Sequence, residues 1–95
     1  LSDIFDRLAR VNAKINVMQN SALSFSILLD RKKINLDKIL TLFNDDYTIR
    51  YNEGLELVTI RHYDQKTVDF VTKGKRNILE QKTRQTIRIV LKPNH

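Results

Sequence analysis

The 95-residue chain has no cysteine and no tryptophan, a single proline and two glycines. Without cysteine it can form neither disulfides nor thiolate metal sites, and it has no sulfur nucleophile, which fits a reducing compartment. So little proline and glycine excludes collagen-like, proline-rich and flexible-linker character. No apolar run approaches the ~20 residues that a membrane-spanning helix needs. The opening Leu1-Ser2-Asp3 lacks the basic flank and apolar stretch of a signal peptide. What remains is 41% hydrophobic and 29% charged, with four Phe and three Tyr to anchor a core. These values predict one folded domain or pieces of two small ones, soluble and cytoplasmic.

The formal charge of +6 is unevenly spread. Up to residue 59 eight basic side chains meet eight acidic ones, whereas Arg61 to Lys92 holds nine Lys or Arg against Asp64, Asp69 and Glu80. That excess can attract a polyanion or simply form a solvated face. No sequence-reading motif accompanies it, so the solvated face is the preferred reading.

Periodicity gives an α+β pattern. Residues 2 to 13 read as an amphipathic helix with Ser2 as its cap, Asp3 and Asp6 in the first turn, and Ile4, Phe5, Leu8 and Val11 on one face. Ile15 to Gln19 and Leu23 to Leu29 read as an antiparallel pair around Asn20-Ser21, with Leu23, Phe25, Ile27 and Leu29 alternating inward. After the loop Arg31-Lys32-Lys33, Asn35 caps a second helix through Phe43, ended by Asn44-Asp45-Asp46. Tyr47, Ile49 and Tyr51 alternate like a half-exposed strand that stops at Asn52-Glu53-Gly54, and Leu55 to His62 reads as a more central strand. Asp64 caps a short third helix through Val71, closed by Gly74, and Ile78 to Gln81 and Thr86 to Leu91 form a last hairpin around Lys82-Thr83-Arg84.

The order is αββαβ followed by βαββ. A ferredoxin-like βαββαβ unit packs two helices on one face of an antiparallel sheet. Residues 1–53 match it without its opening strand, and residues 54–95 match the first four elements of a second such unit. Each half has strand edges that need partners, whether from the other half, another chain or further sequence.

No nucleotide-binding loop, paired-His metal motif or Gly-flanked serine nucleophile occurs, and no catalytic constellation is assigned. His62 lies beside a strand, His95 is terminal, and Asp45-Asp46 reads as a polar turn. The densest polar stretch is Asn16-Val17-Met18-Gln19-Asn20-Ser21-Ala22-Leu23-Ser24-Phe25-Ser26. Its amides offer donors and acceptors together, a chemistry suited to the carboxylate and ammonium of an amino acid. Read on their own residues, Asn20-Ser21 is preferred as a polar turn and Met18 as core filler.

That stretch, together with Phe5-Asp6-Arg7-Leu8-Ala9-Arg10 before it and Glu53-Gly54-Leu55-Glu56-Leu57-Val58 after it, resembles the C-terminal regulatory region of aspartate kinases. The resemblance spans nearly the whole chain and is weakest over the third helix and Lys82-Thr83-Arg84-Gln85. It implies tandem ferredoxin-like ACT units that sense an end-product amino acid, lysine or threonine. It also implies an N-terminal kinase domain that phosphorylates the side-chain carboxylate of aspartate with ATP and Mg. The present residues would be non-catalytic and hold no cofactor themselves. By matching positions, the resemblance implies that Asn16, Gln19, Asn20 and Ser21 line the effector pocket, with Met18 and Ala22 packed nearby. Asn16 stands where lysine-sensitive members often carry Asp. Homodimerisation edge to edge through the ACT sheets is also implied. Two alternatives are an RNA-binding ferredoxin-like module, disfavoured because Leu57, Thr59, Arg61, Ile87 and Ile89 supply no aromatic platform, and the regulatory part of an aspartate kinase fused to homoserine dehydrogenase.

Overall fold

A computed structural model describes residues 2–94. It is α+β, with three α-helices and two small antiparallel sheets among the described residues. The chain divides into two compact units, Leu1–Tyr51 and Asn52–His95.

The first unit runs α1 (Ser2–Arg10), β1 (Ile15–Asn20), β2 (Phe25–Leu29), a 3-10 turn at Arg31–Lys33, and α2 (Leu36–Phe43). The cap expected at Ser2 lies outside the described side chains. The first helix stops three residues earlier than its apolar spacing predicts, and the cause is Asn12. Its φ of 54° is left-handed, which Asn tolerates, and it directs the Ala13 N–H to the Leu8 carbonyl and the Asn12 N–H to the Ala9 carbonyl, both at 3.1 Å. Asn35 caps α2 as expected, its side-chain oxygen accepting the Lys38 N–H at 3.2 Å. Arg31-Lys32-Lys33 is a wound turn rather than an open loop because the Asp30 carboxylate accepts the Lys32 N–H.

The amphipathic faces meet as their spacing requires. Leu8, Ile39 and Phe43 are buried, and Ile4, Val11, Ile15, Ile27 and Leu29 pack around them. Leu23, expected to point inward on β2, instead sits in the hairpin turn and is 99% exposed. The alternation begins only at Phe25, because Ser21 and Ser24 close the turn between them.

Residues 47 to 51 do not form the expected strand. The Tyr47 N–H goes back to the Phe43 carbonyl at 2.8 Å, and its ring packs edge-on against Phe43 with centroids 5.7 Å apart, so the chain leaves α2 by a turn tied to the helix. No neighbouring strand takes up its remaining backbone groups among the described residues; Ile49 packs on the core, Tyr47 meets it only at the rim against Phe43, and Tyr51 is exposed.

The second unit runs β3 (Glu56–Arg61), α3 (Gln65–Thr72), β4 (Lys75–Lys82) and β5 (Thr86–Pro93). The spatial order β3-β5-β4, antiparallel throughout, is a split βαβ in which the returning strand lies between the two strands that α3 connects. This corrects the expectation that residues 55 to 62 are central. The central strand is β5, whose Ile87, Ile89, Val90 and Leu91 are all buried, while β3 is an edge. Val68 of α3 packs on Ile87, Ile89 and Leu91, with Val58, Ile60 and Tyr63 alongside. Gly74 takes φ of 73° at the helix end, the left-handed geometry expected there.

Asp64 caps α3 by accepting the Thr67 N–H at 2.7 Å. That backbone bond, followed by a bond from the Thr67 side chain, holds the carboxyl below its ordinary value of 3.8. A depressed folded value means that the cap's contribution is complete above the unfolded value and is lost as pH falls through the folded one. Acidification below about pH 3.8 is therefore expected to destabilise α3 more in the native chain than in Asp64→Asn, whose amide caps without titrating. Hydrogen exchange of the Val68 amide across that range measures the difference.

Candidate functional site

The polar stretch singled out in the sequence lies on the β1–β2 hairpin. Register places Asn20 opposite Phe25, Gln19 opposite Ser26, Met18 opposite Ile27 and Val17 opposite Leu28. Directly opposed residues share a face. Met18 and Asn20 therefore lie on the face of Phe25 and Ile27, towards α1 and α2, and Gln19 lies on the other face with Ser26.

Asn16 occupies a bulge, where two residues of β1 oppose one step of β2, and it is half-buried. Val17 after it is buried, whereas Met18, Gln19, Asn20, Ser21 and Ala22 are all exposed. The six candidate residues are thus neighbours along one hairpin but do not converge on one point. Asn20 with Met18 forms one group near the tip, and Gln19 faces away from them.

Ser21 has a defined local task. Its Oγ accepts the Ser24 N–H at 3.2 Å and lies 2.7 Å from the Ser24 Oγ, while its N–H donates to the Ser24 carbonyl at 2.8 Å. These bonds brace the turn. Ser21 is therefore a turn residue, and Asn20, the last residue of β1, is held just beside that turn with its side chain exposed.

Two shallow depressions of about 300 and 430 Å³ lie elsewhere on the first unit, around the start of α2. The first is lined by Arg31, Ile34, Asn35, Leu36 and Asp37, and none of the hairpin candidates lines either. Among the described residues no group of three His, Cys, Asp or Glu is placed to hold a metal ion, and no helix is long and apolar enough to cross a membrane. His62 is exposed in the turn after β3, with a left-handed φ of 54°. His95 lies outside the described residues.

A second cluster was not singled out in the sequence. Arg7 of α1 donates through Nη1 to the Leu42 carbonyl at 2.8 Å, through Nη2 to Asp46, and through Nε to Asp3 at 3.2 Å. Its guanidinium also sits over the rings of Phe43 and Tyr47, at 5.7 and 5.5 Å. The bond to Asp46 raises the already high pKa of Arg7, so the group stays cationic. The Tyr47 hydroxyl closes the cluster on Asp3 at 3.3 Å. The i,i+4 spacing of Asp3 and Arg7 was legible, but its continuation to Asp46, 39 residues away, carries no local signal.

On the same helix Phe5 meets Phe25 edge-to-face with ring centroids 5.9 Å apart. Phe25 is the cross-strand partner of Asn20. No protein-family model, curated protein or solved structure matches this chain.

Proposed function

We propose that this chain is an amino-acid-sensing regulatory region of an aspartate kinase, built from two ferredoxin-like ACT units. Its β1–β2 hairpin takes lysine or threonine as the feedback effector. The observation that carries the reading is the sequence Val17-Met18-Gln19-Asn20-Ser21-Ala22, set on an exposed, braced hairpin between two short strands. The split βαβ order of the second unit is compatible with the same fold family. In this reading the Asn20 amide meets the effector's charged groups, and Gln19, on the opposite face of the strand, takes part only where the effector wraps the strand edge. ATP and Mg belong to the kinase domain of the parent protein, in the cytoplasm.

Strand chemistry supports a homodimer through the first unit. Neither β1 nor β2 contains a charged residue or a proline, whereas β3 carries Glu56 and Arg61, and β4 carries Lys75, Arg76, Glu80 and Lys82. Charges on an edge discourage strand pairing, and β1 and β2 carry none to oppose pairing with a second copy. An effector held near such an edge biases the equilibrium only by its differential affinity for the two packings, and that difference restrains the kinase.

Titration calorimetry with lysine, threonine, methionine and aspartate, with sedimentation run alongside, tests the proposal. Saturable binding of lysine or threonine to a dimer is expected. A folded dimer that binds neither overturns the sensor reading.

A further inference from the structure

We infer that α1 couples the hairpin to the segment that leads out of the first unit, with Arg7 as the latch at the far end. The inference rests on the sensor reading for what occupies the hairpin, but the coupling itself is defined by contacts within the first unit.

The two ends of the coupling are two residues apart on a nine-residue helix. At one end Phe5 packs on Phe25, the partner of Asn20 across the hairpin. At the other end Arg7 bonds to the Leu42 carbonyl and Asp46 and lies over Phe43 and Tyr47. Leu8, the next residue after Arg7, is 1% exposed in the core, so a shift of α1 moves both contacts together.

The latched segment is suited to being a two-state element. From residue 47 to residue 55 the backbone has no regular secondary structure, and the boundary between the two compact units falls inside it, after Tyr51. It therefore lacks the ladder of bonds that would hold a strand. Up to Tyr51 it is held by the Tyr47 N–H to Phe43 bond, by Arg7 and by Ile49 at the core, and beyond Tyr51 the Asn52 side chain accepts from Lys92 at 3.3 Å. The Arg7 side chain is only 18% exposed while its partner Asp46 is 54% exposed, so the latch closes from the solvent side and opens by release of Asp46 and Tyr47. A ligand that moves Phe25 by engaging Asn20 then changes how tightly that segment is held. By linkage, release of the segment changes ligand affinity.

Limited trypsin digestion reads the latch directly, because Arg50 lies exposed in the latched segment and Arg84 lies exposed in a turn of the second unit as an internal control. In Asp46→Asn, cleavage after Arg50 is expected to accelerate about tenfold, the change that replacing a charge-assisted bond by a neutral one makes to a local opening equilibrium, with cleavage after Arg84 unchanged. Phe25→Leu, on the hairpin side of the coupling, is expected to accelerate cleavage after Arg50 by severalfold while the circular dichroism of the chain is retained. Phe25→Met replaces it if the leucine variant loses its fold. No acceleration in Asp46→Asn removes the latch. Acceleration in Asp46→Asn with none in the Phe25 variant removes the coupling and leaves Arg7 as a clamp alone. The assay contains no amino acid, so an absence of lysine or threonine binding bears on the sensor reading and not on this result.

Discussion

Replacing Ile89 by alanine is expected to unfold the second unit. Ile89 is 0% exposed on the central strand, flanked in register by Val58 and Glu80 and packed with Val68, Ile87 and Leu91. Removing a buried isoleucine side chain to the β-carbon costs about 2–5 kcal/mol, with the higher values where the site cannot collapse. Collapse is hindered here because β5 is bonded on both sides, to β3 and β4, and α3 lies across it. Against this stands the stability of a unit of such small size, which is at the low end of the roughly 5–15 kcal/mol found for whole domains. The loss is therefore a large part of the total. Hydrogen exchange should show the β4 and β5 amides losing protection, with the amides of α1 and α2, whose core is a separate cluster around Leu8, Ile39 and Phe43, retaining theirs. Full protection of β5 in the variant would mean that the unit is held by something other than this core.

Elements backed by a local signal were legible in the sequence. Asn35 and Asp64 capped the helices they precede, Gly74 took the left-handed position, and the polar turn between β1 and β2 fell where hydroxyl and amide residues cluster. Misreadings arose where tertiary contacts compete with a local pattern. Tyr47, Ile49 and Tyr51 have strand spacing, but spacing cannot show that no strand stands beside them, or that Phe43 and Arg7 claim Tyr47. The apolar run in β3 suggested a centre, yet position in a sheet follows from connection. The crossover through α3 separates β3 from β4 and leaves the gap that β5 fills.

The candidate site was legible in the same partial way. A period of two in β1 already separates Gln19 from Met18 and Asn20, so a shared pocket needs either a twist or a ligand that wraps the strand. The bulge at Asn16 shifts that phase at the start of β1 and has no mark in the sequence. The long-range part of the Arg7 cluster has no mark in the sequence for a different reason: its partners Leu42, Asp46 and Tyr47 are brought to α1 by the packing of α2, and one of them acts through its backbone carbonyl.

Asn20→Ala is expected to lower effector affinity about ten- to a hundredfold and leave the fold intact. The side chain is exposed at the end of β1, so truncation creates no cavity, and surface substitutions of this kind change stability by about 0.5 kcal/mol or less. A hydrogen bond to a charged group of the ligand contributes about 1.5–3 kcal/mol, which sets the size of the loss. Ser21→Ala is a poorer probe, because its hydroxyl braces the turn through Ser24 and its removal moves Asn20 as well. Asn20→Asp separates the two possible contacts. A carboxylate at this position strengthens binding if Asn20 faces the ligand's ammonium group and weakens it if Asn20 faces the ligand's carboxylate. Calorimetric titration of the three variants with lysine and with threonine, alongside the native chain, distinguishes these outcomes. Equal affinity in Asn20→Ala and the native chain would place the effector away from the hairpin tip, since no other exposed amide in the hairpin shares a face with Phe25.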